Sequence, residues 1–492
     1  MAFLRGRRKL LLWTAGCALA ITAAAIAGAA YFKSTASALV QFPERPIQYP
    51  MYDTANVNTE SGWHTMNTHD PSIYKEGDTY YVFSTDFKVG ANKDPLRPGI
   101  MVRRSKDLIA WDFGGYALDG IPKEAAAWSR ATNLWAPDVF KMGKTYYLYY
   151  AASTFGSNQS MIGLATSASI TGPWTDQGAV VKTAKGDEAN AIDPNPVFDA
   201  EGKPWLAYGS FFGGLYIVRL DERTGKVKEG EQPVLLARRD SGTVAGAVEA
   251  PYIIYQPQQQ MYYLFVSYDS LSSDYSVRVG RSTSITGPYM DFNGHKLTDA
   301  SYQPQAFIGN KLIGSYGFSG KEGWIAPGHN SVLKDGDRTF LVHHARGEKD
   351  KNWSYLHIRE LLWTRDGWPV ASPERYAGEK AQPLNAKMLT GQWERLPIPM
   401  AWTGTERSEP IRLLRGGKLE SAHGAGKWTF REPNELTLQW EAGVGKEGPS
   451  TERVLVTPAW DWENDRPTLV FTGMNEKGIH IWGKYMDSIK GD

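Results

Sequence analysis

Three acidic residues stand beside prolines in similar turns: Asp70 in His69-Asp70-Pro71-Ser72, Asp193 in Ile192-Asp193-Pro194-Asn195 and Glu249 in Val248-Glu249-Ala250-Pro251. Carboxylates held in a group can divide acid and base work. Opening an acetal bond between sugars needs one acid to protonate the departing oxygen and one carboxylate to activate water or attack the anomeric carbon. On that scheme Asp70 is the base and Glu249 the acid, with Asp193 close by to keep Glu249 protonated through like-charge repulsion and to orient it. The bland alternative is that Asp-Pro simply opens turns and an Asp at a strand end accepts backbone hydrogen bonds. Three acids at the same phase of a repeat are more than turn chemistry requires.

The elements that must position them recur. Asp70 is followed by the strand Thr79-Tyr80-Tyr81-Val82-Phe83, Asp138 by Tyr146-Tyr147-Leu148-Tyr149-Tyr150, Asp193 by Trp205-Leu206-Ala207-Tyr208, Glu249 by Tyr262-Tyr263-Leu264-Phe265 and His329 by Thr339-Phe340-Leu341-Val342. A second turn motif also returns, as in Ser169-Ile170-Thr171-Gly172-Pro173 and Ser284-Ile285-Thr286-Gly287-Pro288. Five units at intervals of roughly 55 to 80 residues, with strands, turns and almost no helical periodicity, predict an all-β five-bladed propeller over 47–385. Asp70, Asp138, Asp193, Glu249 and His329 then occupy one equivalent position and converge on the axis. For Asp138 structural and functional readings stand level. A lone His329, without Cys or His at ligand spacing, is no zinc site, but an imidazole in a channel lined by carboxylates suits a hard cation held mostly through water.

The chain of 492 residues exceeds what one core serves. A charged, turn-rich stretch from Ser372 to Pro383 separates the repeats from a tail over 390–492. Short alternating strands there, such as Glu435-Leu436-Thr437-Leu438-Gln439-Trp440, predict a small barrel or sandwich without a catalytic constellation. A net charge of +1 with interspersed signs gives no stripe for nucleic acid. Aromatic content is 12%, enough both to fill a β core and to supply stacking platforms for sugars. Residues 1–38 read as an export signal: Arg5, Arg7, Arg8 and Lys9 precede an apolar stretch, and Ala36-Ser37-Ala38 fits a cleavage site, with an uncleaved membrane anchor as the alternative. The only cysteine, Cys17, lies in that segment, so a processed chain has no disulfide.

These motifs resemble glycoside hydrolase family 43, and most closely its endo-acting α-1,5-arabinanases. The family's Asp-Pro, Asp-Pro and Glu-Ala-Pro turns correspond to Asp70, Asp193 and Glu249. Its Gly-Pro-Gly-His-Asn-Ser motif reads Ala326-Pro327-Gly328-His329-Asn330-Ser331 here, departing at Ala326. The resemblance implies inverting hydrolysis of arabinan by a secreted monomer, with a calcium ion at His329. It implies sugar contacts from His69, Trp135, Asp138, Phe155, Asn190 and Ser210. Ala459-Trp460-Asp461-Trp462-Glu463 and Gly478-Ile479-His480-Ile481-Trp482-Gly483 resemble the C-terminal barrel of the two-domain branch. Three rivals remain: an exo-acting arabinofuranosidase or β-xylosidase, a retaining fructan hydrolase, and a sugar-binding propeller without catalysis.

Overall fold

A computed structural model describes residues 40–243, 246–318, 320–401, 403–441 and 449–488. The expected export segment and Cys17 lie outside the described residues. Four antiparallel four-stranded sheets begin at Ser72, Trp135, Asn195 and Val248 and form blades I to IV. Blade V comprises the strands from Trp324–Asp335 to Pro369–Ala371. The first strands of the blades contact one another in circular order, which closes the propeller. One helix, Lys123–Ser129, interrupts the β pattern between blades I and II.

The tyrosine-rich second strands explain much of the aromatic content. In blade II the strand Thr145–Ala152 is buried along almost its whole length. Alternate residues point to opposite faces of a strand. Tyr146, Leu148 and Tyr150 therefore pack with Phe83 and Ile100 of blade I, while Tyr147 and Tyr149 pack with Leu206 and Tyr208 of blade III. Blade V meets blade I the same way, Leu333 and Val342 against Ile73 and Val82. The ring closes by apolar packing between consecutive blades.

Eight strands from Gly391–Ile398 to His480–Tyr485 form a closed barrel, deciding between barrel and sandwich. Closure follows because Gly391–Ile398 pairs with both Glu409–Leu414 and His480–Tyr485. A short segment, Glu406–Arg407, leaves the barrel and pairs in parallel with Tyr316–Gly317 at the edge of blade V. Trp482 Nε1 and Thr472 Oγ1 of the barrel both donate to the Ala371 carbonyl, at 2.8 and 2.7 Å. The stretch after Ser372 is no solvated linker: Glu374 and Glu379 are buried in it. Lys484 of the barrel provides the reason, because its ammonium pairs with Glu374, Asp461 and Glu463.

Candidate active site

Each blade opens with a residue in the left-handed region immediately before proline: Asp70, Ala136, Asp193, Ala250 and Ala326, with φ between 40° and 57°. Such backbone costs about 1 kcal/mol or more for a residue with a Cβ, and Asp tolerates it better than most. This shared turn corrects the expected alignment. Asp70 and Asp193 are equivalent; Glu249 stands one residue before the proline-preceding position, Asp138 two after it and His329 three after it. Proline marks the true phase, and the acids reach one centre from different steps of the turn.

A second repeat supports these turns. The side chain that ends the second strand of one blade grips the start of the next. Thr85 accepts from Ala136 N at 2.8 Å, Ser210 donates to Glu249 Oε2 at 2.8 Å, Ser267 accepts from His329 N at 2.8 Å, and His344 Nδ1 accepts from Asp70 N at 3.2 Å. Sequence reasoning missed Thr85, Ser267 and His344. The signal was a hydroxyl or imidazole at or near the end of the second strand in four of the blades, as in Phe83-Ser84-Thr85 and Tyr208-Gly209-Ser210.

Asp70 is the centre of a dense network. His69 Nδ1 lies 2.7 Å and His329 Nδ1 2.9 Å from its Oδ1, and Thr85 Oγ1 donates to Oδ2 at 2.5 Å. Arg346 can only donate, and it reaches His69 Nε2 at 3.0 Å, which leaves the Nδ1 hydrogen for Asp70. Burial opposes the charge on Asp70, yet His329 and His69 outweigh it and hold the carboxyl well below its usual range. His329 responds in kind: burial disfavours its charge, but Asp70 and Asp193 raise its pKa to about 9.

Glu249 is pushed the other way. Burial raises its pKa, and the Tyr275 and Ser210 hydroxyls only partly offset that. Asp70 adds repulsion to Glu249, and Asp193, raised first by burial, is pushed further toward its neutral form by Glu249 and Asp70. Asp193 Oδ2 accepts from Ala250 N at 3.1 Å, which ties it to the residue after Glu249. Gly328 is needed here, since a Cβ would stand 1.9 Å from the Tyr275 ring.

Asp138 is tied to the neighbouring blades. Ser72 Oγ and Asn195 Nδ2 donate to its two oxygens, and Asn195 Oδ1 accepts from Ile253 N, so blades I to IV are laced in sequence. Asn190 is buried and accepts from Ser160 Oγ at 2.7 Å, and Ser210 is committed to Glu249. Trp135 is partly exposed, whereas Phe155 is 84% exposed, as a stacking platform must be. Phe212, absent from the expected set, is 51% exposed in the loop directly after Ser210.

A cavity of about 260 Å³ on the axis is lined by Asp70, Asp138, Asp193, Asn195, His329 and Asn330, among others. Asn330 is buried, and neither atom of its amide has a partner among the described residues. Asp70 occupies His329 Nδ1, so Nε2 is the ring atom left for a proton or a metal. An oxygen-rich cavity with an unpartnered amide fits a hard, partly hydrated cation. A second grouping, His69, Asp70 and His344, is already engaged, with Arg346 on one imidazole and Asp70 N on the other.

Comparison with known proteins agrees with this arrangement. The family model described as glycosyl hydrolases family 43 matches residues 64–369, and a C-terminal lipocalin-like domain of that family matches 373–483. An extracellular endo-α-(1→5)-L-arabinanase of Thermotoga petrophila is 31% identical over 84% of this chain and 93% of its own. A crystal structure of endo-1,5-α-L-arabinanase from the same organism superposes with a TM-score of 0.76 at 29% identity, covering 86% of this chain and 99% of the other. An extracellular exo-α-(1→5)-L-arabinofuranosidase of Cellvibrio japonicus is 33% identical over 62% of this chain and 86% of its own. With propeller, barrel and acidic centre all accounted for, the chain belongs to glycosyl hydrolase family 43.

Proposed function

We propose that this enzyme cleaves internal α-1,5-linked arabinofuranosidic bonds of arabinan with inversion at the anomeric carbon. The observation that carries the reading is the opposite treatment of two acids in one ring: His329 and His69 hold the Asp70 carboxyl well below its usual range, while burial raises the pKa of Glu249. Asp70 takes a proton from the water that attacks the anomeric carbon, and Glu249 delivers its proton to the departing oxygen. Asp193 orients Glu249 through the backbone of Ala250. Phe155 and Trp135 supply stacking surfaces, and His69 stands at the centre beside Asp70, within reach of a bound furanose. Asn190 and Ser210 act on the sugar through the walls they hold, and Asp138 through the lacing of the blades.

Linear arabinan separates the endo reading from its rival: a ladder of oligosaccharides at early times supports it, and arabinose alone supports exo action. The two relatives that match 84% and 85% of this chain, propeller and barrel together, are both named endo-acting. That favours endo action here. Release of the β-anomer, followed by NMR, supports inversion, and initial release of the α-anomer rejects it.

His329 Nε2, once it has released its proton, and the Asn330 amide would hold a calcium ion completed by water, whose charge would take the place of the imidazolium's near the acids. Chelation followed by metal analysis tests this: a metal-free enzyme with unaltered activity removes the ion from the reading. Both relatives are named extracellular, and residues 1–38 have an export composition. Export by that segment is the proposed route, because an intact polysaccharide cannot reach a cytoplasmic enzyme. N-terminal sequencing of the exported protein distinguishes cleavage near Leu39 from a retained anchor.

A further inference from the structure

A cleft open to solvent lies where the segment before blade I, the seam between blades V and I, and a barrel loop meet. None of Asp70, Asp193 and Glu249 lines it. Trp111 and Trp324 are buried in its wall, and Ile47, Tyr49 and Trp462 stand at its more open side. Its parts are tied together: Arg45 Nε and Gln48 Nε2 both donate to Asp465 Oδ1, at 2.9 and 2.8 Å, fastening the leading segment to the barrel loop.

Arg375 is the unusual member. Its guanidinium lies 4.2 Å from the Trp462 ring centre and 5.5 Å from that of Trp324, and it donates to no acceptor among the described residues. Buried arginines elsewhere in the fold do otherwise: Arg103, Arg278 and Arg359 all donate to backbone carbonyls. A stacked guanidinium covers its faces and keeps its N–H edge free for a ligand. Glu374 and Glu463 lie near enough to temper its charge, so the cavity does not call for an anion. A neutral ring with one apolar face and paired hydroxyls suits indole walls and an N–H edge together.

We propose that this cavity is a second carbohydrate site, which holds furanose units of the polymer away from the catalytic channel, with Trp462 stacking and Arg375 donating to hydroxyls. The inference rests on the arabinan reading above. Its test compares long linear arabinan with arabinotriose, which is too short to engage both sites. In Trp462→Ala and Arg375→Met the KM for the polymer should rise about tenfold, as expected for loss of one good aromatic or hydrogen-bonded contact. Parameters for arabinotriose should stay within twofold. Ile47 is 51% exposed, so Ile47→Ala leaves the core intact and should give a smaller rise of the same kind. Calorimetry of Glu249→Ala with arabino-oligosaccharides should find two sites, and one after Trp462→Ala is added. Equal losses on polymer and trisaccharide, or an unchanged polymer KM in all three variants, overturn the second site. Failure of the wild-type enzyme to hydrolyse arabinan at all sinks both readings, whereas hydrolysis with unaltered variants sinks this one alone.

Discussion

The molecule buries two groups of three carboxylates, Asp70, Asp193 and Glu249 on the propeller axis and Glu374, Asp461 and Glu463 where the barrel meets blade V. Their company differs. In the second group the ammonium of Lys484 pairs with all three acids, lying 3.0 Å from Asp461, and Arg466 adds a contact to Asp461 at 3.4 Å. That cluster has cations of its own. In the first group the imidazoles of His329 and His69 both bind Asp70. Among the described residues neither Asp193 nor Glu249 has an ion pair, and both are pushed toward the neutral form by burial. The presence of buried acids therefore does not mark an active site. What marks one is acids whose environments push them apart while an open cavity remains beside them.

The comparison breaks first at Glu249. Glu249→Ala should lower turnover on arabinan by roughly 10² to 10⁴-fold, the usual range for loss of a general acid. An aryl arabinoside whose leaving group needs no proton should lose far less, and equal losses on both substrates would reject the acid role. The thermal midpoint should hardly move.

Lys484 is predicted to behave in the opposite way. Lys484→Met strands buried carboxylates, and breaking such a group costs about 3 to 5 kcal/mol, read as a lower denaturant midpoint. Activity per folded molecule should be retained. Glu374 is held well above the ordinary carboxyl range, by burial first and then by Glu463. Glu374→Gln replaces a protonated acid with a neutral isostere and should cost much less than Lys484→Met. Comparable losses in the two variants would show that the cluster is not organised by the charge of Lys484.

The smallest effect sharpens the contrast through pH. Glu249 must carry a proton to act and its pKa is raised, so activity is present below that pKa and is lost as pH rises through it. The Ser210 hydroxyl donates to Glu249 and favours the ionised form. Ser210→Ala should therefore move the alkaline limb of kcat/KM to higher pH, with a modest fall in kcat. A limb that stays in place or moves down would separate it from Glu249.

Repetition made the fold legible. Strands carrying aromatic residues and proline turns returned five times, and their alternation matched the two packed faces seen in the strand Thr145–Ala152. The register of the repeat is carried by proline and its left-handed neighbour, and Glu249, Asp138 and His329 stand one to three residues away from that position, so the acids alone misplace the phase. Asp138 illustrates the cost. Its place beside a Pro suggested a site residue, while its partners, Ser72 and Asn195, lie 66 and 57 residues away in the chain.

Sequence alone determined the kind of architecture and offered three acids with the chemistry they could perform, since these depend on local pattern and residue type. Only tertiary structure decided which acid is lowered in pKa and which are raised. That outcome depends on burial and on the distance from Asp70 to imidazoles at His69 and His329, the latter brought to it by closure of the ring. The same holds for the stretch after Ser372, polar by composition yet buried, because Lys484 from the far end of the chain meets Glu374 there. Electrostatic energies depend on separation in space and on exclusion of water, and neither is written in the order of the residues.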